Sequence, residues 1–417
     1  MKKVDLYELI SALSISIDIA ESTISNDKNF NEDNFYNAPS IAQHRFFNHS
    51  SRTCYVALKV AKEISNDASF LEDVYISSIL HDIGVCCELK KCHENFNFIR
   101  QHTERGYHLI SRLPFNEKVW DGVKYHHENF NGSGAYNLKG DEIPLIGQII
   151  RLADVFEILY DYNKPNFTQR DKIVNWVNHN KNIIFSEKIV NAFLKVQSKD
   201  YFWWDYDMIG FSPYILDSVV PNKKCPITID ELKSIALVFA DIIDNKSNFT
   251  FTHSQNLAKL VGSIADSLNY DYEKKTRLEV AALLHDIGKL AIPEAILTKN
   301  SSLSDIEFSL IKSHAYYTRI ILSRIKGLED IIDIASNHHE KLDGSGYPLG
   351  LTGDELSFDA RILGICDIYD ALTSKRPYKE EMSQDATFNI LYKMAEENKI
   401  CKNALDAFKK CILKTSN

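Results

Sequence analysis

Along residues 5–20 the apolar side chains Leu6, Leu9, Ile10, Leu13, Ile17 and Ile19 recur at close to helical spacing between polar positions, which predicts an amphipathic helix. Thr228 and Glu231 stand in the capping-box relation and predict the start of another. A third stretch, Glu279 to Leu290 (E-V-A-A-L-L-H-D-I-G-K-L), begins as a run of good helix formers. It then delivers His285, Asp286 and Lys289 where an apolar helix would carry no charge. Long periodic segments with short polar breaks, and only 10 prolines and 16 glycines, leave little room for a turn-rich β architecture; an all-α protein is expected.

The pattern occurs twice. His49, His81, Asp82, His102, His126, His127 and Asp154 recur in order as His253, His285, Asp286, His314, His338, His339 and Asp367. In both halves 32 residues separate the first histidine from the His-Asp pair, and 24 separate the lone histidine from the double one. The last aspartate follows the double histidine by 27 residues in one half and 28 in the other. The flanks agree as well: His127-Glu-Asn-Phe-Asn-Gly-Ser-Gly parallels His339-Glu-Lys-Leu-Asp-Gly-Ser-Gly, and Ala192-Phe193 parallels Ala407-Phe408. Seven positions repeated in register indicate an internal duplication. Two tandem helical domains are therefore expected, at residues 1–200 and 227–417, joined by a segment at 201–226. Its aromatic cluster, Tyr201 to Tyr206, is expected to pack between them.

Composition narrows the setting. The 48 basic and 57 acidic residues give a net charge of −9, which argues against polymeric nucleic acid or an anionic membrane as a partner. It leaves room for a small anion held through metal ions. Eight scattered cysteines show no paired zinc spacing and read as reduced thiols. The N-terminus is interrupted by Asp5, Glu8 and Asp18, so neither a signal peptide nor a membrane span is expected, and the location predicted is cytoplasmic.

Imidazole and carboxylate ligands without thiolates suit iron, manganese or zinc, and five histidines with two aspartates exceed what one ion takes. Two ions are expected in the second half, bridged by Asp286, and such a pair generates a water nucleophile that attacks phosphorus in line. Lys289 lies four residues after His285, which on a helix puts both on one face, where the amine could bind phosphate or protonate a leaving oxygen. Gly344, Gly346 and Pro348 form a loop after the double histidine, where backbone can approach a ligand. Arg376 and Lys379 are candidate phosphate contacts.

These motifs resemble the HD-GYP domain, a subset of the HD phosphohydrolases. His285-Asp-Ile-Gly-Lys289 matches its HD signature, His338 to Pro348 matches the signature containing Gly-Tyr-Pro, and Asp367 to Lys379 matches its closing segment. The resemblance spans residues 248–380. It implies an all-helical fold, a site of two or three metals, and hydrolysis of a 3′-5′ phosphodiester bond in a cyclic dinucleotide. Carried over by position, the ligands are His253, His285, Asp286, His314, His338, His339 and Asp367. Lys289, Gly346, Tyr347, Arg376 and Lys379 would contact substrate. Trinuclear members carry a glutamate four residues before the first histidine; Phe249 stands there, so a dinuclear site is expected.

The first half keeps all seven ligand types, a second candidate metal site, but has Val85 in place of the lysine and Gly134-Ala135-Tyr136 in place of Gly-Tyr-Pro. It is also eight residues shorter between Asp82 and His102 than the second half between Asp286 and His314. It is expected to hold metal, hydrolyse little, and act as a regulatory or packing partner. The tandem arrangement is similar to bacterial enzymes that hydrolyse 3′,3′-cyclic GMP-AMP. The expectation is thus a phosphodiesterase acting on 3′,3′-cGAMP, cyclic di-GMP or both, with homodimerisation left open. Two other classes stay open: an HD phosphohydrolase of mononucleotides, and a nonhydrolytic nucleotide-sensing module.

Overall fold

The structure is a computed structural model, and it describes residues 3–24, 48–85, 96–221, 224–246, 252–374 and 381–415. The described residues are helical throughout, with no strand longer than an isolated bridge. Two compact units follow the two copies of the repeat: Ile17–Lys224, and Cys225–Asn417 together with Met1–Ser16.

The N-terminal helix, Leu6–Ile24, buries Leu6, Leu9, Ile10, Leu13 and Ile17, as its periodicity predicts. Its first turn is fastened within the second unit. Leu6 N–H donates to the Cys225 carbonyl (2.8 Å), and Ile227 N–H to the Val4 carbonyl (2.9 Å). The helix Ile229–Asp244 opens on the predicted box, with Thr228 Oγ1 accepting from Glu231 N–H (3.2 Å) and the Glu231 carboxylate accepting from Thr228 N–H (2.7 Å).

Each unit then repeats one order of elements. Helix His49–Ile64 packs on Ala68–Ile79, as His253–Ser267 packs on Tyr272–Leu284. Phe96–Ile110, Glu117–Lys124 and Leu145–Leu159 follow in the first unit, and Asp305–Leu322, Glu329–Ser336 and Phe358–Thr373 in the second. The aromatic segment expected between the halves instead builds the first unit's own core. Phe202, Trp203 and Tyr206 are buried on one side of the helix Asp200–Met208, with ring contacts from Phe202 to Tyr55 and Phe193 and from all three to Phe156, while Tyr201, Trp204 and Met208 lie on its exposed side.

The His-Asp pair sits where a helix ends. Tyr272–Leu284 stops at His285, and Ile287–Ala291 continues as a 3-10 turn. Lys289 therefore does not share an α-helical face with His285. In the tighter turn residues three apart eclipse, and Lys289 Nζ reaches Asp286 Oδ2 at 2.5 Å. The change of pitch is permitted by Gly288: a β-carbon there would stand 1.9 Å from the His314 carbonyl oxygen. Gly84 makes the same approach in the first unit, 2.1 Å from the His102 oxygen. The missing side chain presses the His-Asp turn against the helix that brings the lone histidine.

Gly288→Ala and Gly84→Ala should each lower stability by about 1–3 kcal/mol, the cost of overpacking a well-packed contact. Gly353→Ala, whose β-carbon meets nothing closer than 3.4 Å, should change little. Urea midpoints of the three variants measure this.

Candidate metal centres

In the second unit the seven predicted ligands converge. His253 opens one helix, His285 ends another, His314 lies inside Asp305–Leu322, His338 and His339 follow Glu329–Ser336, and Asp367 lies in Phe358–Thr373. His253 Nε2 is 3.8 Å from Asp286 Oδ2 and 3.4 Å from Asp367 Oδ1; Asp286 Oδ1 is 3.4 Å from His314 Nε2. Three groups can each surround an ion: His253, His285 and Asp367; His285, Asp286 and His338; and His314, His338 and His339. Asp286 turns one oxygen toward His253 and His285 and the other toward His314, the placement a bridging carboxylate needs.

The hydrogen bonding fixes which ring nitrogens are available. His285, His314 and His338 each direct Nδ1 at the carbonyl three residues back, that of Ala282 (2.7 Å), Ile311 (2.5 Å) and Ala335 (2.7 Å). A carbonyl only accepts, so Nδ1 carries the proton and Nε2 presents a lone pair. His253 Nδ1 bonds the Asp370 carboxylate at 2.7 Å, which orients this ring in the same sense. As a result Nε2 atoms face one another, at 3.4 Å for His253 and His285 and 3.5 Å for His314 and His338. Facing lone pairs at that distance repel unless a positive charge sits between them. Two donors about 2.1 Å from one ion stand about 3 Å apart, so these spacings fit divalent metal.

The electrostatics agree with that fit. Burial holds His314 and His338 below the usual imidazole range and takes His339 down to about 3, so these rings are neutral. Asp286 and Asp367 stay well below the usual carboxylate range although burial opposes it. His285 and Lys289 hold the first, and the His253 hydrogen bond with His339 holds the second. Neutral imidazoles and ionised carboxylates are the ligand forms; His253 departs from this, raised to about 10 against burial by its bonds to Asp367 and Asp370, so its ring gives up a proton when it ligates.

The first unit builds the same centre. His81 and His126 aim Nδ1 at the Ser78 (2.8 Å) and Val123 (2.6 Å) carbonyls, and His49 Nε2 stands 3.1 Å from His81 Nε2. His49, His81 and Asp82 form one group, and Asp82, His102, His126 and His127 another. Asp82 Oδ1 lies 3.0 Å from His102 Nε2 and 3.6 Å from His126 Nε2. None of these three atoms, and neither oxygen of Asp154, has a hydrogen-bond partner although all are buried. Buried carboxylate oxygens that point at imidazoles without hydrogen-bond geometry fit a set of metal ligands.

The two centres differ at the rim. In the second, the side chains of His339, Asp367 and Lys289 are 24%, 14% and 27% exposed. In the first, those of His127 and Asp154 are 3% and 1% exposed, and Val85 is buried. Tyr347 lies over His339, ring centres 4.7 Å apart, on the loop held by Glu340, whose carboxylate accepts from Leu349, Gly350 and Leu351 N–H. Gly346 fits against the Glu340 backbone in that loop. In the first unit Ala135 occupies the tyrosine's place, and Arg151 reaches His127 and Asp154 instead. Arg376, Lys379 and Phe249 lie outside the described residues.

Reading by ligand type alone missed Asp370 and Glu157, which turn to the Nδ1 atoms of His253 and His49 at 2.7 and 3.1 Å. Their signal was present: an acid three residues, one helical turn, after the last aspartate in both copies. It also missed the serine after each first histidine. Ser254 donates to Asp244, and Ser50 to Asp18, fixing the helix N-terminus that carries the ligand.

An all-helical fold that gathers imidazoles and carboxylates from helix ends, twice in one chain, defines a duplicated metal-type histidine–aspartate domain. The HD domain family model matches residues 36–174 and 237–401, and the chain belongs to that family, whose phosphohydrolases are metal-dependent. It is 31% identical over 356 residues to 3'3'-cGAMP-specific phosphodiesterase 1 of Vibrio cholerae, covering 82% of each chain. It is 37% identical over 155 residues to the cyclic di-GMP phosphodiesterase response regulator RpfG of Xanthomonas campestris, covering 37% of this chain and 41% of that one. The fold is also that of the V. cholerae cyclic GMP-AMP phosphodiesterase V-cGAP3, with a TM-score of 0.68 at 23% identity over 99% of this chain and 98% of that one. Among the described residues no helix is long and apolar enough to cross a membrane.

Asp370→Asn should lower divalent-metal affinity about 10–100-fold, the usual cost of losing the partner that orients a ligating histidine, while leaving the helical circular dichroism unchanged. Competitive titration with a chelating dye reads the affinity; an unaltered value would mean that Asp370 does not orient His253.

Proposed function

We propose that the second unit hydrolyses a 3′-5′ phosphodiester bond of a cyclic dinucleotide, 3′,3′-cGAMP or cyclic di-GMP, and releases the linear dinucleotide. The observation that carries this is the open rim: His339, Asp367 and Lys289 reach solvent in the second unit, while their counterparts in the first are closed over. The family relatives named for cyclic dinucleotides support the substrate class. The seven ligands would hold two divalent ions, iron or manganese by ligand type. When bound, these supply charge neutralisation at the phosphate and activate water for in-line attack.

The chain's own groups do the rest. The His285, His314 and His338 carbonyl bonds and the Asp370 carboxylate keep Nε2 directed inward, so no reorganisation is needed at the reacting centre. Lys289, tethered to Asp286 at an exposed edge, swings to the phosphate to bind it or to protonate the departing oxygen. Tyr347 keeps its proton, since burial and the Asp286 and Asp367 charges push the phenol upward, and it forms a wall over His339 on which a base or ribose can rest. Arg376 and Lys379 follow the same helix as Asp367 and are assigned to phosphate by position in the motif. The first unit, with Val85 and Ala135 at the corresponding places, serves as a metal-holding regulatory or packing partner with little turnover of its own.

Purified protein with manganese or ferrous iron, offered a panel of cyclic dinucleotides and mononucleotides, should yield linear dinucleotides resolved by chromatography. His285→Ala should abolish turnover and Lys289→Ala should lower kcat about 10²–10⁴-fold, the range of general-acid or phosphate contacts, whereas His81→Ala should retain activity. Turnover of mononucleotides alone, or loss of turnover in His81→Ala with retention in His285→Ala, would overturn the assignment.

A further inference from the structure

One basic residue stands at the closed rim of the first unit. Arg151 projects from the helix Leu145–Leu159 one turn before Asp154. Its NH1 lies 3.5 Å from His127 Nδ1 and 3.8 Å from Asp154 Oδ2. Asn129 grips the other side of the guanidinium, its Oδ1 accepting from Nε (3.3 Å) and NH2 (3.1 Å). The corresponding residue of the second unit is Gly364, which lines a small cavity with Asn337, Glu340 and Lys341. Lys341 stands where the first unit has Asn129. Among the described residues no lysine or arginine comes within ion-pair distance of Asp367, whose outer oxygen lies 3.9 Å from His339; the part-buried Lys341 amine acts on it only through space, from beyond contact.

We propose that Arg151 takes the place of one metal ion, so that the first unit holds a single ion where the second holds two. This rests on the reading that both clusters are metal centres. The retained ion belongs to His49, His81, Asp82 and Asp154. Asp154 divides its oxygens: Oδ1 turns to His49 Nε2 at 3.8 Å, and Oδ2 turns to Arg151. The ion excluded is the one that His102, His126 and His127 would share with Asp82. Arginine has only donors, so the His127 nitrogen facing it is an acceptor. The ring is thereby held by the guanidinium and not by a metal. A fixed positive charge at that distance also repels a second dication in a site closed to water.

Lys289 does not do the same in the second unit. Its amine is tethered at a half-exposed edge on a flexible stem and can leave Asp286 when an ion arrives. Arg151 is buried apart from its edge and held on both sides.

The test is metal stoichiometry of the full chain, loaded with manganese, desalted and measured by elemental analysis. Arg151→Gly, which copies the second unit, should gain one ion per chain. Arg151→Ala should gain the same ion without a helix glycine. His81→Ala should lose one ion from the unaltered chain, and His102→Ala should lose none there but one in the Arg151→Ala background. No gain in either Arg151→Gly or Arg151→Ala, with folding verified by circular dichroism, overturns the proposal. If His81→Ala loses no ion, the first unit holds no metal and the underlying reading fails instead.

Discussion

Imidazole Nε2 atoms crowded against one another in a buried pocket are the constraint on which each unit depends. His253 against His285, His314 against His338 and His49 against His81 all bring Nε2 atoms within 3.5 Å. Rotating the rings does not relieve this, because every Nδ1 in these pairs already faces an acceptor, a carbonyl one turn back or a buried carboxylate. The helices are arranged to produce the crowding: ligands enter at helix starts and ends, where side chains from different directions can meet. Gly84 and Gly288 bring the His-Asp turn to backbone contact with the neighbouring helix. A proton shared between two rings relieves one pair at a time, whereas a metal ion at the centre binds several of these nitrogens at once.

Within that shared frame the copies diverge by relocating positive charge. The second unit places a flexible lysine on the bridging carboxylate and leaves Gly364 beside the last aspartate. The first has Val85 at the bridge and a clamped arginine beside the last aspartate, with Asn129 as its clamp where the second unit has Lys341. The first arrangement closes the rim and the second opens it. A few side chains therefore separate a partly exposed centre from a buried one, while the seven histidine and aspartate positions remain in place.

Much of this was legible in the sequence. The helical class follows from periodicity, and the repeat picks out the seven side chains that converge in each cluster because spacing in register is a stronger signal than any one histidine. The Thr228–Glu231 box was readable since capping is local. What was not legible depends on three-dimensional neighbours. Lys289 was assigned to a helix face, yet the chain tightens to a 3-10 turn there, where Gly288 meets the His314 backbone, a contact 26 residues away in sequence. The aromatic run from Tyr201 to Tyr206 could pack against either half by composition, and its buried face decides for the first. Arg151 carried no motif; only its juxtaposition with His127 and Asp154 gives it meaning.

This bears on how an inactive copy is to be told from an active one. Retained ligands are weak testimony, because removing one from a buried cluster strands the rest. Asp154, buried with neither oxygen in a hydrogen bond, is tolerable only beside cations such as Arg151, and an uncompensated buried carboxylate costs several kcal/mol. A copy that loses its chemistry is thus still bound by folding to keep its carboxylates matched with positive charge, whether from a metal or from an arginine. Residues that are free of that obligation report on chemistry more directly. Lys289 is such a residue: the first unit folds with Val85 in its place, so nothing in the architecture requires an amine there. Its presence at the open rim, and its absence at the closed one, is why the proposed reaction is assigned to the second unit.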